Sequence, residues 1–486
     1  MVASALLIEL SPGVVPSGAA RAGPRVNGTA GAGPRISATF RRAAGLAAVA
    51  GRNLPRRSTE GYRHARTPWV GRIGGAGTPV ARLLAEPVIA AFRRSLATWR
   101  QALYAVTRPQ ARCAKCGQQP LQRQSLFPHL ARTAPRVSYT ACIVNHNGVD
   151  HLRDTLDAML AQQPGPSEML LVDSGSEDSS VDLVKTHYEK VRVIALSENR
   201  GPAAARNAAI DASIHDRLLF VDDDVVAAPE CAARLLAALE KYPRAIAAMP
   251  SVFLAHQPAV VQYAGADAHF SGLMMLHACN TPAGSDESEP RTIGSLVSAC
   301  FAYDRGRNPH LRFDERFFIY FEDHDFALRA RIAGGDILAV ASARCFHGPG
   351  SAGLSLRRTG RYARLRVVGL IRNRWQLMLK SYELRTFLLL APVLGMYELL
   401  QLGLVARRGW WPEWLEAVRA TIRDRDAVIR DRRAVQRSRA VRDRDLLRGG
   451  PLPFVEALPS DRIERVALRV LDGVMAAYWR AISPVL

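Results

Sequence analysis

Acidic residues are almost missing from the first 135 positions, which hold 3 Asp/Glu against 20 Lys/Arg. Apolar periodicity is scarce over residues 1–80. Residues 1–80, rich in Ala, Gly, Pro and Arg, read as a disordered basic arm. Their shortage of acids resembles an organellar transit peptide, and equally the translation of a GC-rich upstream stretch. The basic start, apolar run and cleavage site of a secretory leader are lacking, so none is expected. Cysteine is scarce and odd in number, 7 in 486 residues. That count speaks against a disulfide framework and suits reduced, buried thiols in a cytosolic protein. Cys113-Ala-Lys-Cys116 has metal-site or redox spacing, yet no second Cys/His pair follows nearby. Chance, or half of a labile site, are the readings left.

What is present is a chain 48% apolar, long enough for a sizeable core. Its net charge of +21 suggests nucleic acid until it is divided by region: +17 over residues 1–135, −9 over 136–350 and +13 over 351–486. Basic arms flank an acidic centre, so no nucleic-acid partner is expected. The arms suit an anionic surface such as membrane phospholipid, and the centre suits a bound divalent cation. Residues 81–135 form a helical or linker segment, with residues 81–107 predicted as one amphipathic helix on the repeat of Leu84, Val88, Phe92 and Leu96.

From Arg136 the texture changes to strands alternating with helices. Strands are predicted at Tyr139–Val144, Met169–Val172, Val191–Leu196 and Arg217–Val221, with helices at Leu152–Leu160, Ser180–Tyr188 and Pro202–Ser213 between them. Such alternation means a parallel sheet with crossovers, whose ligands bind at the carboxyl ends of the strands. The polar clusters Asn145-His146-Asn147, Asp173-Ser174-Gly175-Ser176 and Asp222-Asp223-Asp224 follow strands one, two and four.

Three adjacent carboxylates at a buried strand end repel one another unless a cation neutralises them, and oxygen ligands suit Mg²⁺ or Mn²⁺. The alternative is a solvated acidic turn with a helix cap from Asp224. Asp173 is read either as part of a turn and helix cap or as an acceptor for a pyrimidine imide. Arg200, Gly201 and Arg206 open a helix, a place that can hold diphosphate but is also ordinary helix-start punctuation. Glu322-Asp323-His324-Asp325 is a second acid cluster set among aromatics, read either as a general-base site or as the acidic first turn before a helix at Phe326–Ile332. His347 ends another apolar run, and a lone histidine is more often structural than a ligand.

In order, Ile143 to Gly148, Leu171 to Asp178, Glu198 to Gly201 with Ala205 to Asn207, Phe220 to Asp224, Phe317 to Asp325 and His347 resemble the family 2 glycosyltransferases, over about 220 residues from Arg136 to Gly353. The spacing most resembles the bacterial rhamnosyltransferase-like branch, and that likeness continues through Ile371-Arg372-Asn373-Arg374 and Leu379-Lys380. His146 stands where the family often has Tyr, and Arg312-Phe313 replaces its usual Gly-Gly-Phe.

The resemblance implies an α/β GT-A domain over residues 136–353, a Rossmann-like, mostly parallel twisted sheet with flanking helices. It implies inverting transfer of a sugar from a nucleoside diphosphate sugar, dTDP-rhamnose or a UDP-sugar, to a hydroxyl of a glycan or lipid-linked acceptor. Asp323 is then the catalytic base, with Glu322 and Asp325 as weaker candidates. Asn145, Asp173, Arg200, Arg206 and Asp222 hold the donor, and Asp222, Asp224 and His347 hold Mg²⁺ or Mn²⁺. A catalytically inactive carbohydrate-binding protein of the same fold is the main rival, and a nucleotidyltransferase is a weaker one.

Residues 354–486 are expected to be helical. Leu384–Ala406 is apolar and of about membrane-spanning length, interrupted by Pro392, Glu398 and Gln401. With Trp410, Trp411 and Trp414 next to it, an interfacial helix is favoured over a covering subdomain, placing the protein in the cytoplasm at the inner face of the membrane. One Arg/Asp-dense helix is predicted from Arg419 to Arg448.

Overall fold

The computed structural model describes residues 138–284, 289–348, 364–453 and 462–486. The basic arm, the helix expected at 81–107 and the Cys113/Cys116 pair lie outside the described residues.

The chain begins with β1 (Thr140–Asn145), α1 (Leu152–Leu160), β2 (Glu168–Ser174), α2 (Ser180–His187), β3 (Val191–Leu196), α3 (Gly201–Ala212) and β4 (Arg217–Asp222). β1 pairs in parallel with both β2 and β4, and β2 pairs in parallel with β3. Branched and leucine-rich runs buried on both faces make these strands central ones. After β5 (Val225–Ala227) and α4 (Cys231–Lys241) come β6 (Ala245–Leu254), β7 (Gln257–Tyr263), β8 (Ala266–His269), β9 (Met274–Leu276), β10 (Thr281–Pro282), β11 (Arg291–Ile293) and β12 (Cys300–Asp304). Then follow α5 (Glu322–Ile332) and β13 (Asp336–His347).

The main sheet runs β10-β7-β6-β12-β4-β1-β2-β3. Only the β4-to-β3 half is purely parallel. β12 is antiparallel to both β4 and β6, so the sheet is mixed, with helices on its faces. The flanking helices and the parallel half are as expected, but the sheet is mixed rather than mostly parallel, because β12 and β7 pair antiparallel with their neighbours. The five described cysteines are free, and all but Cys279 are buried.

The C-terminal region is helical: α6 (Arg364–Ser381), α7 (Leu384–Arg408), α8 (Trp411–Arg423), α9 (Arg425–Arg437), α10 (Asp443–Leu446), β14 (Leu447–Arg448) and α11 (Arg462–Ile482). The single helix expected over Arg419–Arg448 is instead broken at Asp424 and again after Arg437. Its Arg/Asp pattern has no breaker residue; the breaks come from folding back, with α8 and α9 both packing on α6. α6, α7 and α11 enclose a second core with Phe270, Phe317, Tyr320 and Phe321. The helical region thus grips the segment leading into α5.

Candidate active site

The site is assembled where β1, β2 and β4 end. Asn145 and Asp173 are register partners, and the Asn145 amide donates to Asp173 Oδ1 at 2.6 Å. Ser176 donates to the same carboxylate from its backbone N (2.9 Å) and its hydroxyl (2.6 Å). Just ahead of α2 a different acid gathers the donors: Asp178 accepts from the backbone N and hydroxyl of Ser180 and from Val149 N. Burial works against the Asp178 charge, but these donors outweigh it and hold the carboxyl below its usual range. Asp173 is therefore not spent as the cap.

His146 lies beside this pair. Its Nδ1 is 2.9 Å from the Ser174 carbonyl and its Nε2 is 2.9 Å from the Asn199 amide nitrogen. A carbonyl can only accept and an amide nitrogen only donate, so the ring carries its proton on Nδ1.

The three consecutive aspartates go three ways. Asp222 Oδ1 takes the Arg206 guanidinium at 2.7 Å. Asp223 turns under the first loop and accepts from His146 N at 3.0 Å. There Gly148 is required, because a Cβ would lie 2.4 Å from the Asp223 carboxylate. Asp224 faces His347, with Oδ1 3.4 Å from Nε2. The antiparallel pairing of β5 with β13 sets His347 opposite Val225 and so brings the two together from 123 residues apart in the chain. His347 Nδ1 lies 3.0 Å from Gln262 Oε1, which orients the ring. Burial raises the Asp222 carboxyl to about 6, with Arg206 opposing and Asp224 adding to the rise. Burial and the charge of Asp224 push Asp223 upward as well. The strand end thus holds more negative charge than its surroundings solvate.

The second acid cluster occupies the first turn of α5, in keeping with its reading as an acidic N-terminal helix turn. Glu322, Asp323 and Asp325 are wholly buried. Arg206, itself buried, bridges the clusters: its Nη1 is 3.4 Å from Glu322 while its Nη2 holds Asp222. Ser298 and Ala299 form a second bridge, since Ser298 N points at Asp323 (3.4 Å) and Ala299 O accepts from Asp222 N (2.9 Å). Burial and the adjacent Asp323 raise the proton affinity of Glu322, against the pull of Arg206. Asp325 is taken by Arg329 at 2.8 Å and Lys380 at 2.6 Å. Its place is structural.

Among the expected donor-binding residues, Asn145, Asp173 and Asp222 gather at the strand ends. Arg206 instead lies beneath them, wholly buried between two carboxylates. Arg200 lies apart and half-exposed, paired with Glu315 at 2.6 Å. Gly201 beside it needs its left-handed backbone (φ 80°) and its lack of Cβ, which would meet the Phe318 carbonyl at 2.3 Å.

Sequence reasoning assigned no role to the strap beneath α5. Phe318, Tyr320 and Phe321 all have φ between 57° and 69°, a costly conformation for aromatic residues. The Asn373 side chain on α6 donates to the carbonyls of Phe317, Ile319 and Tyr320 at 2.7–3.1 Å. Arg366 stacks on Tyr320 and bonds its hydroxyl. Lys380 ties Asp314 to Asp325. The signal was the continued likeness through Asn373 and Lys380.

Among the described residues no group of three His, Cys, Asp or Glu side chains converges as a metal site. Asp224 and His347 meet as a pair, with Asp222 drawn off to Arg206.

Residues 140–263 match the family described as Glycosyl transferase family 2. The N-acetylglucosaminyl-diphospho-decaprenol L-rhamnosyltransferase of Mycobacterium tuberculosis is 27% identical over 42% of this chain and 74% of its own length. A putative teichuronic acid biosynthesis glycosyltransferase of Bacillus subtilis is 32% identical over 16% of this chain, which spans only 33% of that protein. Among solved structures, GalNAc-T7 with UDP, GalNAc and Mn²⁺ aligns with a TM-score of 0.43 at 19% identity, over 51% of this chain and 48% of that one. S. aureus TarS 1–349 with UDP aligns at 0.37 and 15%, over 71% and 91%. The first four sequence blocks and the parallel half-sheet that carries them lie inside the stretch, residues 140–263, that is similar to that family.

Proposed function

We propose that this protein is an inverting glycosyltransferase that moves a sugar from a nucleoside diphosphate sugar to a hydroxyl of a glycan or lipid-linked acceptor. The observation that carries this reading is the meeting of Asp224 and His347 at the sheet edge, with Glu322 and Asp323 tied to the same spot through Arg206 and Ser298-Ala299. The likeness to the mycobacterial L-rhamnosyltransferase favours a rhamnosyl donor, and dTDP-rhamnose and UDP-sugars are the donors to try.

Asp173, fixed by Asn145 and Ser176, accepts from the imide of the base. Arg200, half-exposed at the mouth of α3, offers charge to the diphosphate, while Arg206 balances Asp222 against Glu322. A divalent ion fits the chemistry of the donor set: one carboxylate, one imidazole oriented by Gln262, and excess negative charge at the strand end. Asp224 and His347 would hold Mg²⁺ or Mn²⁺, with Asp222 nearby, and the ion would stabilise charge on the departing diphosphate. Burial and the neighbouring Asp323 raise the proton affinity of Glu322, and Asp323 takes the proton of the attacking hydroxyl. Because Asp323 is wholly buried, the segment covering it must yield when the acceptor enters.

The test is a panel of nucleotide sugars with and without Mn²⁺, read by nucleoside diphosphate release. Asp323→Asn is expected to bind donor normally and to lose about 10²–10⁴ in transfer rate. Full turnover by that variant removes Asp323 from the role, and no release with any donor supports the inactive carbohydrate-binding alternative.

A further inference from the structure

Two C-terminal helices present a surface used by neither the site nor the core. α7 is 25 residues long, and Glu398 is the one charged residue between Arg385 and Arg407. That carboxylate turns inward, accepting from Arg374 at 2.6 Å and Trp375 at 3.1 Å, with Gln401 joining it at 3.2 Å. The outward stripe is apolar: Leu384, Leu388, Met396 and Leu399 are 41–71% exposed. A water-facing surface helix has the reverse polarity. Glu398 and Gln401, which interrupt the apolar run in the sequence, thus lie together toward α6.

α11 repeats the pattern beside it. Ile463, Val466, Val470 and Val474 are 39–71% exposed at helical spacing. Its two acids are occupied inward: Glu464 is buried against Arg407 and Arg408, and Asp472 accepts from Leu452 N at 2.6 Å. Its arginines Arg462, Arg465, Arg469 and Arg480 are all exposed. Glu464 at the start of α11 meets the end of α7, and Arg385 at the start of α7 bonds the Val485 carbonyl just past α11. The helices are therefore antiparallel, and each carries an exposed apolar stripe.

We infer that α7 and α11 form a docking face for the anionic surface of a phospholipid bilayer. Apolar side chains enter the acyl boundary, while outward charges of one sign meet lipid phosphates. An acidic protein groove would satisfy the arginines but not so long an apolar stripe. The pair lies in the membrane plane rather than crossing it, because Leu390, Val393, Leu394 and Tyr397 of α7 pack into the same core as Leu471 and Met475 of α11. Trp411, 45% exposed just beyond α7, suits the headgroup level. The inference stands on this surface and is independent of the sugar-transfer reading.

Flotation of the full chain with phosphatidylcholine vesicles, with and without phosphatidylglycerol, tests it. Binding is expected with phosphatidylglycerol. Both Leu388→Glu/Leu399→Glu and Arg465→Glu/Arg469→Glu are expected to weaken it roughly tenfold or more while circular dichroism stays unchanged. The basic residues 1–135 supply their own attraction for anionic lipid, so equal binding by wild type and both variants overturns the proposal. So does a lipid-free dimer in sedimentation velocity that the leucine variant converts to monomer, which would make a second copy the occupant.

Discussion

The two acid clusters, Asp222–Asp224 and Glu322–Asp325, look alike as strings of letters and are built in opposite ways. The first sits at the end of an apolar strand, in the turn between β4 and β5. The strand ends at Asp222 and the chain turns through Asp223 and Asp224 into β5, so three adjacent carboxylates reach Arg206, the first loop and His347. The second is held in the first turn of a buried helix by side chains of α6, some 50 residues further on. A strand end delivers charge outward to a ligand, whereas a buried helix start must be clamped. Damage to the first cluster should therefore cost function, and damage to the clamp of the second should cost stability.

Lys380→Met should show the larger contrast. It leaves Asp314 and Asp325 buried without their shared cation, and truncating one partner of such a group costs about 3–5 kcal/mol. Chemical denaturation measures this, and a wild-type midpoint would show that the strap bears no load. Asp224→Asn is the counterpart. It should lower transfer by roughly 10²-fold or more, through lost stabilisation of the leaving group. Its denaturation midpoint should hold or rise, since one repelling charge beside Asp222 and Asp223 is gone. Asn373→Ala comes next. Three carbonyls lose their donor, so a stability loss of roughly 2–3 kcal/mol is expected. The turnover number should fall while donor affinity is retained, because the strained turn aims α5 and not the base pocket.

The same contrast explains what was legible in the sequence. β3 lies at Val191–Leu196 as expected, and β1, β2 and β4 differ only at their ends, because apolar runs with polar terminators are local signals. The antiparallel half of the sheet was not legible: β12 joins β4 across almost 80 residues, and no periodicity encodes that pairing. Asp224 and His347 were named as partners through a family likeness, yet their meeting depends on β5 and β13 pairing at long range. The inward turn of Glu398 was hidden because its partners, Arg374 and Trp375, lie on another helix.

The smallest effect separates the clusters by pH. A buried Glu322 that keeps its proton in the folded state, against an ordinary value of 4.5 when unfolded, makes the native state bind the extra proton. Stability from this group is then full below pH 4.5 and declines as pH rises through its elevated folded value. Asp222 acts with the same sign between 3.8 and about 6, and Asp223 adds to it. His324, lowered from 6.5 to about 4 by burial, has the opposite sign and has finished titrating in the unfolded chain above about pH 7. From about pH 7 to pH 8, then, wild type should lose stability with a slope that Glu322→Gln reduces, by on the order of 1 kcal/mol. Parallel curves for the two proteins would mean that Glu322 is ionised against Arg206, leaving the second cluster as charged as the first.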